Sequence, residues 1–94
     1  MKNWGDRMDA EVEAIVQIMD DIINDTSVPR NIRRSVAQAK ELVLKKEGDP
    51  VVNVTEAIYL LDEASNDINM PMHTRTQVWQ IVGALESYRE RIKG

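Results

Sequence analysis

The chain contains no cysteine, no phenylalanine and only one histidine. Without cysteine there can be no disulfide staple, no thiolate metal site and no cysteine nucleophile, which fits a reducing cytoplasm. Without phenylalanine, the core must be filled by Leu, Ile, Val, Met and Ala. The single His73 leaves little material for acid–base chemistry, and no Gly-rich nucleophile turn or phosphate loop is present. No stretch approaches the roughly 20 apolar residues of a membrane span, and MKNWGDRMDAEVE lacks a signal-peptide core. The expected setting is therefore cytoplasmic, with no membrane partner. Strand signals are missing too: no window alternates with period two, and no Asn-Gly or Asp-Gly pair marks a hairpin.

What remains is a soluble, globular composition, 43% hydrophobic and 30% charged over 94 residues. That length is one domain, residues 1–94, with a modest core. The net charge of −4 argues against a dedicated DNA binder.

Apolar residues recur at helical spacing in four windows. Met8, Val12, Ile15, Met19 and Ile22 form the first stripe, and Ile32, Val36, Ala39 and Val43 the second. Val54, Ala57, Ile58, Leu61 and Ala64 form the third; Val78, Ile81, Val82, Leu85 and Ile92 the fourth. Gly48-Asp49-Pro50 supplies a C-terminal glycine, an N-cap and a first-turn proline in succession. The expected helices span about 6–24, 28–47, 50–66 and 70–92, with short links that make sequential helices antiparallel neighbours.

The chain repeats itself. Asp20, Asn24, Asp25, Pro29, Arg33 and Val36 recur 42 residues later (62 − 20) as Asp62, Asn66, Asp67, Pro71, Arg75 and Val78. Such self-similarity reads as a duplicated helix–corner–helix, with copies at about 6–47 and 50–92. The fold class is thus all-α, a four-helix bundle of two duplicated antiparallel units. Each corner residue has an expected structural role. Asn24 and Asn66 end helices in the left-handed conformation, and Ser27 and Asn69 serve as N-caps. Asp20 and Arg33 mirror each other about the first corner, as do Asp62 and Arg75 about the second. Cross-corner ion pairs are expected there, offsetting acids at helix C-termini and bases at N-termini that oppose the macrodipole.

The doubled Asn-Asp…Pro…Arg phrase also carries a resemblance. Its period and corner look like a HEAT-type repeat, although two copies are too few for a solenoid and should close on each other. More specifically, "NDTSVPRNIRR", "AIYLLDEASNDINMPMHTR" and "VWQIVGALE" resemble a small archaeal family, uncharacterised protein family 0147, over roughly residues 8–88. That resemblance implies a compact helical bundle and brings no activity with it.

Acid clusters at Asp20-Asp21…Asp25 and Asp62-Glu63…Asp67 invite a metal reading. A di-metal bundle, however, needs Glu-x-x-His motifs that are absent here. The Asp-Asp-x-x-x-Asp spacing also departs from the Asp-rich magnesium motif of isoprenoid synthases. No catalytic residue, metal site or cofactor is therefore expected, and a cation-dependent enzyme is the remote reading. Nucleic acid is the more serious alternative. Arg30, Arg33, Arg34, Lys40, Lys45 and Lys46 make helix 2 basic; Arg75, Arg89, Arg91 and Lys93 do the same for helix 4. If these two helices share a face, a basic stripe would meet phosphates. Against this, no aromatic platform interleaves with it, and alternating acidic and basic helices attract one another in any bundle. Trp79 borders the fourth stripe and is expected in the core or at its edge. Tyr59 falls off the third stripe and is expected at the surface, where with Trp4 it would form a partner patch.

The sequence-based reading is a non-enzymatic helical module that binds another protein or a second copy of itself, with RNA or ribosome association through helix 2 as the alternative. Arg30 and Arg34 are the leading binding candidates, because their repeat equivalents, Met72 and Thr76, show that duplication does not demand them. Asn24, Asp25, Arg33, Asn66, Asp67 and Arg75 come second.

Overall fold

Each apolar stripe becomes the inner face of a helix in the computed structural model, which describes residues 2–93 and side chains from Ala10 to Lys93. Helix α1 runs Lys2–Ile23, α2 Arg30–Leu44, α3 Pro50–Ala64 and α4 Met72–Lys93. Met8 of the first stripe and Trp4 fall outside the described side chains.

The helices form a ring: α1 packs on α2, α2 on α3, α3 on α4, and α4 closes on α1. The backbones of α1 and α3, and those of α2 and α4, do not come close to one another among the described residues. Burial follows the stripes. Ile15, Met19 and Ile22 meet Ile32, Val36 and Ala39, then Val54, Ala57, Ile58 and Leu61, then Val78, Ile81, Val82 and Leu85. Val28 and Met70, equivalent corner positions, close one end of this core. Burying side chains of this size contributes about 1.5–3 kcal/mol each, the main offset to chain entropy. None of the four helices is long and apolar enough to cross a membrane.

The C-terminal ends of α1, α2 and α3 depart from expectation. Helix α2 stops at Leu44 because Lys45 turns extended (φ −64°, ψ 132°). Buried Asn53 then donates to the Glu47 carbonyl at 2.9 Å and ties this extended link to α3. Gly48 provides the φ of +81° that the turn requires, and no non-glycine residue among those described has positive φ. Asp49 caps α3 as expected, accepting from the Val51 amide at 2.9 Å, with Pro50 in the first turn. Asn24 directly follows α1, and Asn66 follows Ser65, the C-cap of α3; neither takes the left-handed conformation expected of it.

Alternating acidic and basic helices are neighbours around the ring, as the charge segregation anticipates. Lys40 of α2 meets Asp20 of α1 at 2.7 Å, and Arg91 of α4 pairs with Glu11 of α1. The basic helices α2 and α4 lie diagonally opposite and share no face. A basic stripe shared by α2 and α4 does not form among the described residues, which leaves α2 alone as the basic surface of the nucleic-acid alternative.

Candidate functional site

Both repeat corners lie at the same end of the bundle, because α1 and α3 run one way and α2 and α4 the other. Here the duplication becomes a pseudo-two-fold axis along the bundle. Asp25 accepts from the Ser27 amide (3.0 Å) and hydroxyl (2.6 Å), and Asp67 accepts from the Asn69 amide (2.8 Å). The aspartates brace the corner loops, and Ser27 and Asn69 are donors to them rather than N-caps. Helix α2 has Pro29 at its cap position and no side-chain cap.

Each aspartate then reaches across the axis. Asp67 Oδ2 accepts from Asn31 Nδ2 at 2.9 Å, and Asp25 Oδ2 lies 3.1 Å from His73 Nε2. Asn31 and His73 are repeat equivalents, again 42 apart (73 − 31), so the two contacts are one interaction made twice. The Ser27 hydroxyl foremost, then His73 and the Ser27 amide, hold the Asp25 carboxyl down to about 2 from an ordinary 3.8. The Asn69 amide foremost, then Asn31, lowers Asp67 as well.

The expected Asp20–Arg33 and Asp62–Arg75 ion pairs do not form. Arg33 Nε donates to the Val28 carbonyl at 3.0 Å. Arg75 donates through Nη1 to the Ser65 carbonyl and through Nη2 to the Asp67 carbonyl at 3.3 Å. Asp20 is taken by Lys40, and Asp62 has no ion-pair partner among the described residues. The reason is local. A helix end leaves carbonyls without intrahelical donors. Arg75, folded into the half-buried second corner, satisfies such carbonyls, and Arg33 satisfies the Val28 carbonyl of the first corner loop, while the Asp62 carboxylate stays exposed.

The candidate binding residues therefore separate. The polar groups of Asp25, Asp67, Arg33 and Arg75 are engaged inside the chain, and Asn24 and Asn66 are exposed at the corner. Arg30 and Arg34 are exposed on the outer side of α2, away from the core. No three His, Cys, Asp or Glu side chains among the described residues are grouped to hold a metal.

A different surface emerges on the second copy. Ile68 is 91% exposed, Met72 78% and Trp79 59%. Trp79 is thus neither core nor core edge, whereas Tyr59 is exposed as expected. Met72 and Trp79, seven residues apart, lie on one line along the outer side of α4. The sequence contained a signal for this. Val78, Ile81, Val82 and Leu85 define the inner arc, and position 79 lies about 100° from Val78, away from them.

Comparison with known proteins places the fold. The chain is 55% identical over 75 residues to a UPF0147 protein of Methanocaldococcus jannaschii, covering 80% of this chain and 81% of that one. It is 45% identical over 83 residues to a UPF0147 protein of Pyrococcus horikoshii, covering 87% and 89%. The crystal structure of unknown function protein MMP1188 superposes with a TM-score of 0.78 at 43% identity, over 82% of this chain and 88% of that one. That of a UPF0147 protein from Thermoplasma acidophilum gives 0.80 at 26% identity, over 87% and 98%. With the family model matching residues 2–88, the chain belongs to the uncharacterised protein family UPF0147.

Proposed function

We propose that this chain is a small non-enzymatic helical module that binds another protein through the outer face of α4 and the second corner. One observation carries the reading: Ile68, Met72 and Trp79 hold large apolar side chains in water on one copy of the repeat. The equivalent residues of the first copy are Thr26, Arg30 and Ala37, so the helix–corner–helix architecture does not require apolar groups there. Clustered exposed aromatic and methionine side chains are the usual anchors of protein interfaces.

A photo-crosslinking residue at position 79, with one at position 34 as the comparison, tests this in a native lysate. Position 79 is expected to yield a discrete crosslinked protein that position 34 does not. Equal labelling at both positions, or none at 79, refutes the reading. RNA association is the second reading. Arg30 and Arg34, exposed and without side-chain partners among the described residues, favour it. Nuclease-sensitive, salt-labile absorbance at 260 nm that co-purifies with the protein and is lost in an Arg30→Ala, Arg34→Ala variant would support it.

A further inference from the structure

The duplication supplies an internal control for every surface position. On α2 the outer line reads Arg30, Arg34, Ala37 and Glu41, an ordinary solvated helix face. On α4 the equivalent positions read Met72, Thr76, Trp79 and Gly83. Bundle geometry is common to both, so the change from charged to apolar has its cause outside the chain. Gly83 is the most informative of the four. A Cβ built there meets nothing within 4 Å, so no neighbour in the bundle needs the space. Glycine inside an exposed helix costs stability relative to alanine. A glycine without an internal reason, one turn from an exposed tryptophan, suits close approach by an outside backbone.

Charge identifies what approaches. On α4, Arg91 pairs with Glu11 and Lys93 with Glu90, while the half-buried Arg75 and Arg89 bond to corner carbonyls and to Thr55, off the outer line. Glu86 continues the line of Met72 and Trp79 by another seven residues and has no partner among the described residues. On α3, Thr55 is the side chain reached from α4. Asp62, seven residues further along α3, lies on that same flank, and it too has no ion-pair partner among the described residues. A second copy of this chain docked α4 against α4 does not fit. Parallel pairing sets Glu86 against itself, and antiparallel pairing brings Glu86 and Glu90 beside Thr76 and Met72, where the outer line of α4 offers no cation to meet them. Phosphate surfaces are repelled by the same acids.

We propose that the outer face of α4 receives an amphipathic helix of another protein, its apolar side seated on Met72, Trp79 and Gly83 and its Lys or Arg residues directed at Glu86 and Asp62. This rests on the protein-binding reading and gives that partner its chemistry. The test uses two fluorescein-labelled synthetic peptides of about 18 residues, long enough for five helical turns. One is a Leu/Lys amphipathic helix and the other its Leu/Glu counterpart. Titration with the full chain is followed by anisotropy. The Leu/Lys peptide is expected to bind, with affinity that falls as salt rises, and the Leu/Glu peptide is not. Trp79→Ala and Gly83→Leu are each expected to weaken binding by about tenfold or more, with helicity by circular dichroism retained. The Cβ that Gly83→Leu adds meets nothing within 4 Å and the position is exposed, so this variant keeps the test valid if Trp79→Ala loosens the fold. Equal binding of both peptides, no binding of the Leu/Lys peptide, or unchanged binding by both variants overturns the proposal. A crosslinked partner at position 79 alongside a failed Leu/Lys titration would overturn the basic-helix chemistry alone and leave the protein-binding reading standing.

Discussion

Arg75→Ala is the most informative single change, because its effect separates two accounts of the corner. Arg75 is half-buried and donates to the Ser65 and Asp67 carbonyls at the end of α3. Hydrogen bonds from a charged donor contribute about 1.5–3 kcal/mol, and an orphaned carbonyl adds its own desolvation cost. The Asp67 bond is long at 3.3 Å, so the total loss should be about 2–4 kcal/mol. Arg33 makes one such bond, at 3.0 Å to Val28, and Arg33→Ala should cost about 1–2 kcal/mol. In a chain of this length 1 kcal/mol moves the melting temperature by about 4–8 °C, so the two variants are readily distinguished. Arg75→Lys should recover only part of the loss, since an ammonium cannot fork across two carbonyls as a guanidinium does. The control is Asp62→Asn. If the arginine works on carbonyls, this variant melts within about 0.5 kcal/mol of the wild type, as exposed substitutions do. Urea unfolding followed by circular dichroism measures all four. Asp62→Asn losing as much as Arg75→Ala would restore the ion pair and refute the carbonyl account.

Three further outcomes follow from particular atoms. Thr74 Oγ1 is fully buried without a hydrogen-bond partner, and its repeat equivalent is Ile32; Thr74→Val should stabilise by about 1–2 kcal/mol in urea unfolding. Gly83→Ala places a methyl group in open space on a helix and should stabilise by about 0.5–1 kcal/mol, read as a rise in melting temperature. Asp25 has a folded pKa of about 2 against 3.8 in the unfolded chain. Its contribution is therefore complete above pH 4 and is lost as pH falls towards 2. In Asp25→Asn the drop in melting temperature between pH 4 and pH 2 should be smaller than in the wild type, by thermal melts across that range.

The helices were legible because their signals are local and redundant. Four apolar stripes, the Gly48-Asp49-Pro50 break and the 42-residue repeat all point to the same ring of helices. Corner chemistry was less legible. Placing Asp20 beside Arg33 treats the corner as a pair of parallel rods whose mirrored side chains meet. A flexible arginine instead chooses among every acceptor within reach, and the unpaired carbonyls at a helix end outcompete a solvated carboxylate. The Asn31–Asp67 and His73–Asp25 contacts were missed for another reason. Asn31 and His73 differ in type, and a search for identities passes over them. Scoring equivalent positions by their capacity to hydrogen-bond would have found that pair, since each lies opposite a repeated aspartate.

Duplication has a further consequence for where binding resides. Positions alike in both copies are explained by geometry that occurs twice: Asp25 and Asp67 brace loops, Arg33 and Arg75 satisfy carbonyls, and Val36 and Val78 fill the core. Positions that differ carry information about only one side of the molecule. Arg30 against Met72 and Ala37 against Trp79 are such differences, and they make α2 and α4, diagonal in the ring, chemically opposite on their outer faces. Exchanging the two lines is thus a sharp perturbation. Met72→Arg with Trp79→Ala gives α4 the residues α2 already tolerates at equivalent positions. The bundle should keep its melting temperature to within a few degrees, as substitutions at exposed sites do. Crosslinking at α4, read from a neighbouring exposed position such as 76, should disappear. A large loss of stability instead would mean that Met72 and Trp79 hold the bundle together, and the second copy would owe its apolar face to folding rather than to a partner.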